Sequence, residues 1–154
     1  MPKIDLTSAP SAKGSTYPPP HDEACKGRDA LRLGIAAGLT QFGVNLVTLE
    51  PGAWSSQRHW HAVEDEFVWV VEGELVLVED GGETLLGPGD CAGFKGGVEN
   101  GHHLVNRTDR PARFLAVGTR ENADHGVYPD IDMKFLPGRY SGGGGFSYKD
   151  GTRY

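Results

Sequence analysis

Apolar residues in this chain come in short runs broken by glycine, proline and acidic turns. Residues 42–49 alternate, with Val44, Leu46 and Thr48 on one side, which predicts a strand. Pro51-Gly52 is a turn, residues 54–61 a second strand and 62–65 a loop. Residues 66–72 and 74–79 are two further strands. Asp80-Gly81-Gly82 is the clearest hairpin turn. The chain returns over 83–86 and turns again at Gly87-Pro88-Gly89-Asp90. Strands at 91–94, 102–107 and 112–120 complete the set. Residues 31–40 are ambiguous, and no stretch carries a convincing helical period. Many short strands at this spacing predict an all-β fold, a jelly roll or small barrel.

Two of these strands break the alternation. Phe67-Val68-Trp69-Val70-Val71 and Leu75-Val76-Leu77-Val78 are apolar on both sides. A strand with one solvated face should alternate, so the outer face is expected to be covered. A second copy packed sheet to sheet is the preferred cover, giving a homodimer. The chain's own ends are the alternative. Residues 1–30 are polar and interrupted by Pro18-Pro19-Pro20, so they form an extended arm. Residues 121–154 hold Tyr128-Pro129-Asp130-Ile131-Asp132, expected to pack as a solvated ordered strap, then a flexible glycine run from Gly142 to Gly145. The 154 residues suit one domain, with the barrel core at about 42–120.

Charge narrows the partners. The formal net charge is −6 and Lys and Arg do not cluster, which argues against nucleic acid. No apolar run reaches the roughly 18 residues of a membrane span. The first residues, MPKIDLTSAPSAKG, lack the apolar stretch of a signal peptide, so a cytoplasmic protein is expected. Cys25 and Cys91 are then expected as free thiols, with Cys91 a small packing residue in the core.

The chemistry centres on Gly52 to Glu74. His59 and His61 are two apart, so in a strand both leave the same face and Trp60 points away. Glu66 follows after a short loop. Two imidazoles and a carboxylate are most of a metal site. An HxH pair alone is common without a metal. The second half of the pattern lies about forty residues on, in His102-His103-Leu104-Val105-Asn106. Together the segments resemble the two motifs of the cupin superfamily. Gly52, His59, His61, Glu66 and Gly73 fit the first, with one extra residue after Gly52. Gly89, Gly97, His102 and Asn106 fit the second, with Lys95 where proline is usual and a longer gap before the histidine. The phrases EDEFVWVVEGE and GHHLVNR are also similar to a subgroup of small bacterial cupin-domain proteins.

The resemblance implies a cupin-type double-stranded β-helix. It also implies that His59, His61, Glu66 and His102 hold one divalent ion: Zn, Fe, Mn, Ni or Co. Such a set leaves positions for a chelating substrate on an octahedral ion. Glu64 or Asp65 in place of Glu66, and His103 in place of His102, stay open. Asn106, Gln57 and Ser56 are candidates to orient the imidazoles. Arg58 is expected as a surface or interface charge. Gln41, Asn45, Trp54 and Phe94 are candidates for pocket lining, the two aromatics for core packing first. His21 and His125 are expected at the surface. The resulting function is a mononuclear metal-dependent enzyme acting on a small molecule, by isomerase, lyase or dioxygenase chemistry. A non-catalytic sugar- or small-molecule-binding module is the alternative. Apart from Glu66 or a bound hydroxide, the sequence shows no general base.

Overall fold

The alternating segments 42–49 and 112–120 meet at the centre of the molecule, whose computed structural model describes residues 3–154. Residues 1 and 2 of the expected arm lie outside the described residues. The first two strands come from that arm: β1 (Ser11–Lys13) and β2 (Arg28–Leu31). Next is β3 (Phe42–Leu49), after a single helical turn, α1 (Leu33–Ala36), in the ambiguous stretch. There follow β4 (Trp60–His61), β5 (Glu66–Glu72), β6 (Leu75–Glu79), β7 (Gly82–Leu86), β8 (Cys91–Phe94), β9 (His103–Val105) and β10 (Ala112–Thr119). The tail adds β11 (Gly126–Tyr128), β12 (Met133–Phe135) and β13 (Phe146–Ser147).

β3 and β10 pair antiparallel along their full lengths, from Ala112↔Leu49 to Thr119↔Phe42. They centre a six-stranded sheet in the order β1-β2-β3-β10-β5-β8. A three-stranded sheet, β7-β6-β9, faces it. Val47, Leu49, Val68, Val70 and Phe114 from the large sheet share one buried cluster with Leu75, Leu77, Leu86 and Leu104 from the small one. Each such side chain contributes about 1.5–3 kcal/mol on burial. Gly73 lets β5 turn into β6 at a positive φ, where a side chain would strike Ala112.

The arm and tail are more regular than their composition predicts. The arm is not a free extension: β2 pairs with β3, and β1 with β2. The tail builds a third sheet, β13-β12-β11-β4, on the histidine strand. Gly126 makes that contact possible, because a Cβ there would fall on the Trp60 carbonyl and the Phe135 ring. Strand β4 itself is only two residues long, not the eight expected over 54–61.

The two-sided apolar strand resolves into two faces. Val68 and Val70 enter the core, while Phe67, Trp69 and Val71 are 40%, 50% and 47% exposed. Trp69 sits between Leu115 of β10 and Cys91 of β8, and Phe67 beside Val117. Arm and tail leave this outer face open among the described residues. Cys91 is exposed, contrary to the packing role expected of it, because it shares the outward parity of Trp69. Cys25 is the fully buried thiol.

Candidate metal centre

The ligand candidates are brought together by backbone pairing before any side chain acts. His59 and His102 are direct partners in an antiparallel bridge, with His59 N–H donating to the His102 carbonyl and the reverse at 3.2 and 2.9 Å. Partners across such a bridge put their side chains on one face. His61, two residues on, adds a third imidazole. Glu66 enters from the start of β5.

Three of the four side chains, those of His59, His61 and Glu66, converge through their tips, and His102 touches Glu66. His59 Nε2 and His61 Nε2 are 3.1 Å apart. Glu66 Oε2 is 3.2 Å from His61 Nε2, 3.0 Å from His102 Nε2 and 3.8 Å from His59 Nε2. One ligand atom each from His59, His61 and Glu66 lies within 4.8 Å of the others. His102 joins through its contact with Glu66. The Phe94 ring lies flat on the His102 ring, centroids 3.6 Å apart, and fixes its plane.

Each imidazole meets an acceptor at its other nitrogen. His59 Nδ1 is 2.9 Å from the Gln57 carbonyl, with Ser56 Oγ at 3.3 Å. His102 Nδ1 is 3.1 Å from the Asn100 carbonyl. His61 Nδ1 is 2.7 Å from Asp124 Oδ2. A carbonyl or carboxylate can only accept, so every Nδ1 carries the proton. When the three rings are neutral, as a metal requires, the Nε2 lone pairs therefore face one another and a carboxylate oxygen. Such crowding of acceptors is repulsive unless a cation lies among them. Donors held at about 2.1 Å from one ion and about 90° apart would lie about 3.0 Å from each other, close to the spacings here. The donors of His59, His61 and Glu66 thus fit a divalent ion.

Electrostatics follow from the same contacts. Burial lowers the pKa of His59 to about 3, so it stays neutral. Burial also works against charge on His61, but Asp124 and Glu66 outweigh it and raise the value to about 9. Burial would raise Glu66, yet its hydrogen bonds with His102 and His61 hold it well below the usual carboxylate range. Without a metal, a proton on His61 is the cation of the cluster.

Comparison with known proteins places this geometry. Residues 45–118 match the cupin domain family. A curated β-D-galactosidase of Mycobacterium tuberculosis is 36% identical over 115 residues, spanning 73% of this chain and 90% of that protein. The chain is a member of the cupin family. A crystal structure from Silicibacter pomeroyi, described as a sugar phosphate isomerase of the cupin superfamily, is 54% identical. It covers 99% of this chain and 96% of its own, with a TM-score of 0.94. The polyketide cyclase RemF of Streptomyces resistomycificus, 24% identical over 79% of this chain and 80% of its own, shares the fold at a TM-score of 0.63.

The cupin fold sorts the remaining candidates. His103 has the opposite parity to His102; its Nδ1 meets the Ser56 carbonyl at 2.9 Å and its ring packs on Trp54. Glu64 is not at the cluster's centre. Its two oxygens accept from the Glu121 N–H and the Arg139 guanidinium, at 2.9 and 2.6 Å. Asp65 accepts from the Gly96 N–H at the surface. Asn106 orients no imidazole: it donates to the Leu49 and Arg110 carbonyls and ties the β9–β10 turn to β3. The Gln57 side chain donates to the His21 carbonyl; its backbone is what meets His59. Gln41 and Asn45 are outside the cavity lining, whereas Phe94 is in it. Arg58 is 15% exposed and is paired with Asp80 and Asp130, bolting the strap to the end of β6. His125 is exposed.

Three residues escaped sequence reasoning. Asp124 is buried and accepts from the Val63 and Glu64 N–H groups through Oδ1, leaving Oδ2 for His61. Arg139 bonds both Asp124 and Glu64, at 2.8 and 2.6 Å, over the face of Phe135. Glu79 lines a cavity of about 220 Å³ together with His61, His102, Phe94, Lys95 and Asn100. None of the three stands in a recognisable spacing from the histidines.

Proposed function

We propose that this cupin is a metal-dependent sugar phosphate isomerase with one divalent ion at His59, His61, Glu66 and His102. The near full-length likeness to the Silicibacter pomeroyi structure carries the reading of the reaction. The three imidazoles meeting one carboxylate oxygen support the reading of the ligand set. A divalent ion there would polarise the carbonyl and hydroxyl oxygens of a bound sugar. The chain's own groups do the rest. Asp124 holds His61 in the tautomer that offers Nε2, and the Gln57 and Asn100 carbonyls do the same for His59 and His102. Phe94 and Val98 supply an apolar wall. The cavity is smaller than the roughly 300–1,000 Å³ of drug-sized pockets, which suits a small metabolite.

Hydrolysis of a β-galactoside is the second reading, supported by the M. tuberculosis relative. Glycoside hydrolysis ordinarily needs two working carboxyl groups. Of the two carboxylates lining the cavity, Glu64 is tied to Arg139, which favours isomerisation. The test is to incubate metal-replete protein with pentose and hexose monophosphates, and separately with a chromogenic β-galactoside. Interconversion of an aldose and a ketose phosphate is expected. Galactoside cleavage without it would overturn the proposal.

We further infer that the exposed Phe67, Trp69 and Val71 face receives a second copy of the chain. Its apolar continuity across β3, β10, β5 and β8, outside the reach of arm and tail, supports this.

A further inference from the structure

The cavity holds two charged groups, Glu79 and Lys95, that belong neither to the metal cluster nor to the Arg139 network. Glu79, at the end of β6, has its Oε1 held by Asn100 Nδ2 at 2.9 Å. That amide is itself oriented, because Asn100 Oδ1 accepts the Asp80 N–H at 3.0 Å. The carboxylate is thus pinned through one oxygen, and its other oxygen has no partner among the described residues. Glu64, the other carboxylate of the cavity, has both oxygens occupied. Lys95 lines the same cavity from an exposed position, and its ammonium forms no ion pair or hydrogen bond among the described residues. An unpaired ammonium and a pre-oriented carboxylate that line one space with His61 and His102 are placed to meet a ligand there.

We propose that Lys95 and the Glu79–Asn100 pair recognise the substrate: Lys95 receives its anionic group, and the free oxygen of Glu79 accepts a hydroxyl. The ligand is then a small polyhydroxylated anion. This rests on the sugar phosphate reading above and deepens it. Two sources can supply the anion, a phosphate ester or a carboxylate.

Equilibrium binding to an alditol phosphate separates recognition from turnover, since a sugar alcohol has no carbonyl to isomerise. Calorimetry on the protein as purified, with its metal content measured, would compare three probes: an alditol phosphate, the matching aldonate and the uncharged alditol. Either anion is expected to bind at least tenfold tighter than the alditol, and the tighter of the two names the anionic group. Lys95→Ala should remove that advantage and leave the alditol unchanged. Glu79→Gln should weaken all three about tenfold, with metal content as in the wild type. Asn100→Ala, which frees the carboxylate without removing it, should fall between. Equal affinity for charged and uncharged probes, or variants that bind like the wild type, would overturn the proposal. The two readings fail separately. Tight, Lys95-dependent binding without aldose–ketose interconversion leaves recognition standing and removes the isomerase. Interconversion by variants that bind normally does the reverse.

Discussion

His61 is the residue on which the centre turns. One nitrogen faces Asp124 and the other faces Glu66 and His59. Its pKa of about 9 and the value of about 3 at His59 predict different parts for the two. At pH 7 the metal-free protein carries a proton on His61 and none on His59. Metal binding must displace the first only. Calorimetry in two buffers of different ionisation enthalpy should count about one proton released from this pair per ion at pH 7, falling towards none above pH 9. Two or more would mean that a second group of the cluster gives up a proton as well. The sign for stability follows. A group raised from about 6.5 in the unfolded chain to about 9 stabilises the metal-free fold fully below pH 6.5. That contribution fades as pH rises through 9. Asp124→Asn should weaken this dependence in thermal melts, leaving the part that Glu66 supplies, and should weaken metal affinity about 10–100-fold. A variant that binds metal like the wild type would show that the carboxylate is not needed to orient His61.

The tail is the element that completes the site. β11 lies on β4, and the loop before it delivers Asp124 to His61. Arg139 then joins Asp124 to Glu64. Arg139→Met would leave two buried carboxylates side by side. Breaking a buried pair of this kind costs about 3–5 kcal/mol. Urea unfolding at pH 7 should therefore show a loss of about 3 kcal/mol, reduced by the one-third exposure of Arg139. A loss under 0.5 kcal/mol would make the network incidental. The barrel strands were legible in the sequence because alternation and turn residues mark them directly: β5, β6 and β8 stand where Glu66, Leu75 and Cys91 begin their runs. The arm and tail strands were not, since two to four residues cannot show a period of two. The spacing of His59, His61 and Glu66 was readable for the same local reason. Asp124 lies 63 residues from His61, and only the pairing of β11 with β4 brings it there.

At the scale of the whole molecule, the large sheet has one face in the core and one apolar face in the open. Trp69 at its centre is half exposed. A second copy seated there would remove Phe67, Trp69 and Val71 from water together. Light scattering is expected to give twice the chain mass at micromolar concentration, and Trp69→Asp to give the monomer with an unchanged circular dichroism spectrum. A monomeric wild type would contradict the inferred assembly while leaving the site untouched, because none of the four candidate ligands lies on that face. The central claim concerns those ligands. Elemental analysis of the protein purified without added metal, set beside His61→Ala, His102→Ala and the exposed control His125→Ala, tests it most directly. About one divalent ion per chain is predicted for the wild type and for His125→Ala, with most of it lost from the other two. Equal metal content in all four proteins, or none in any after incubation with Zn, Fe, Mn, Ni or Co, would contradict it.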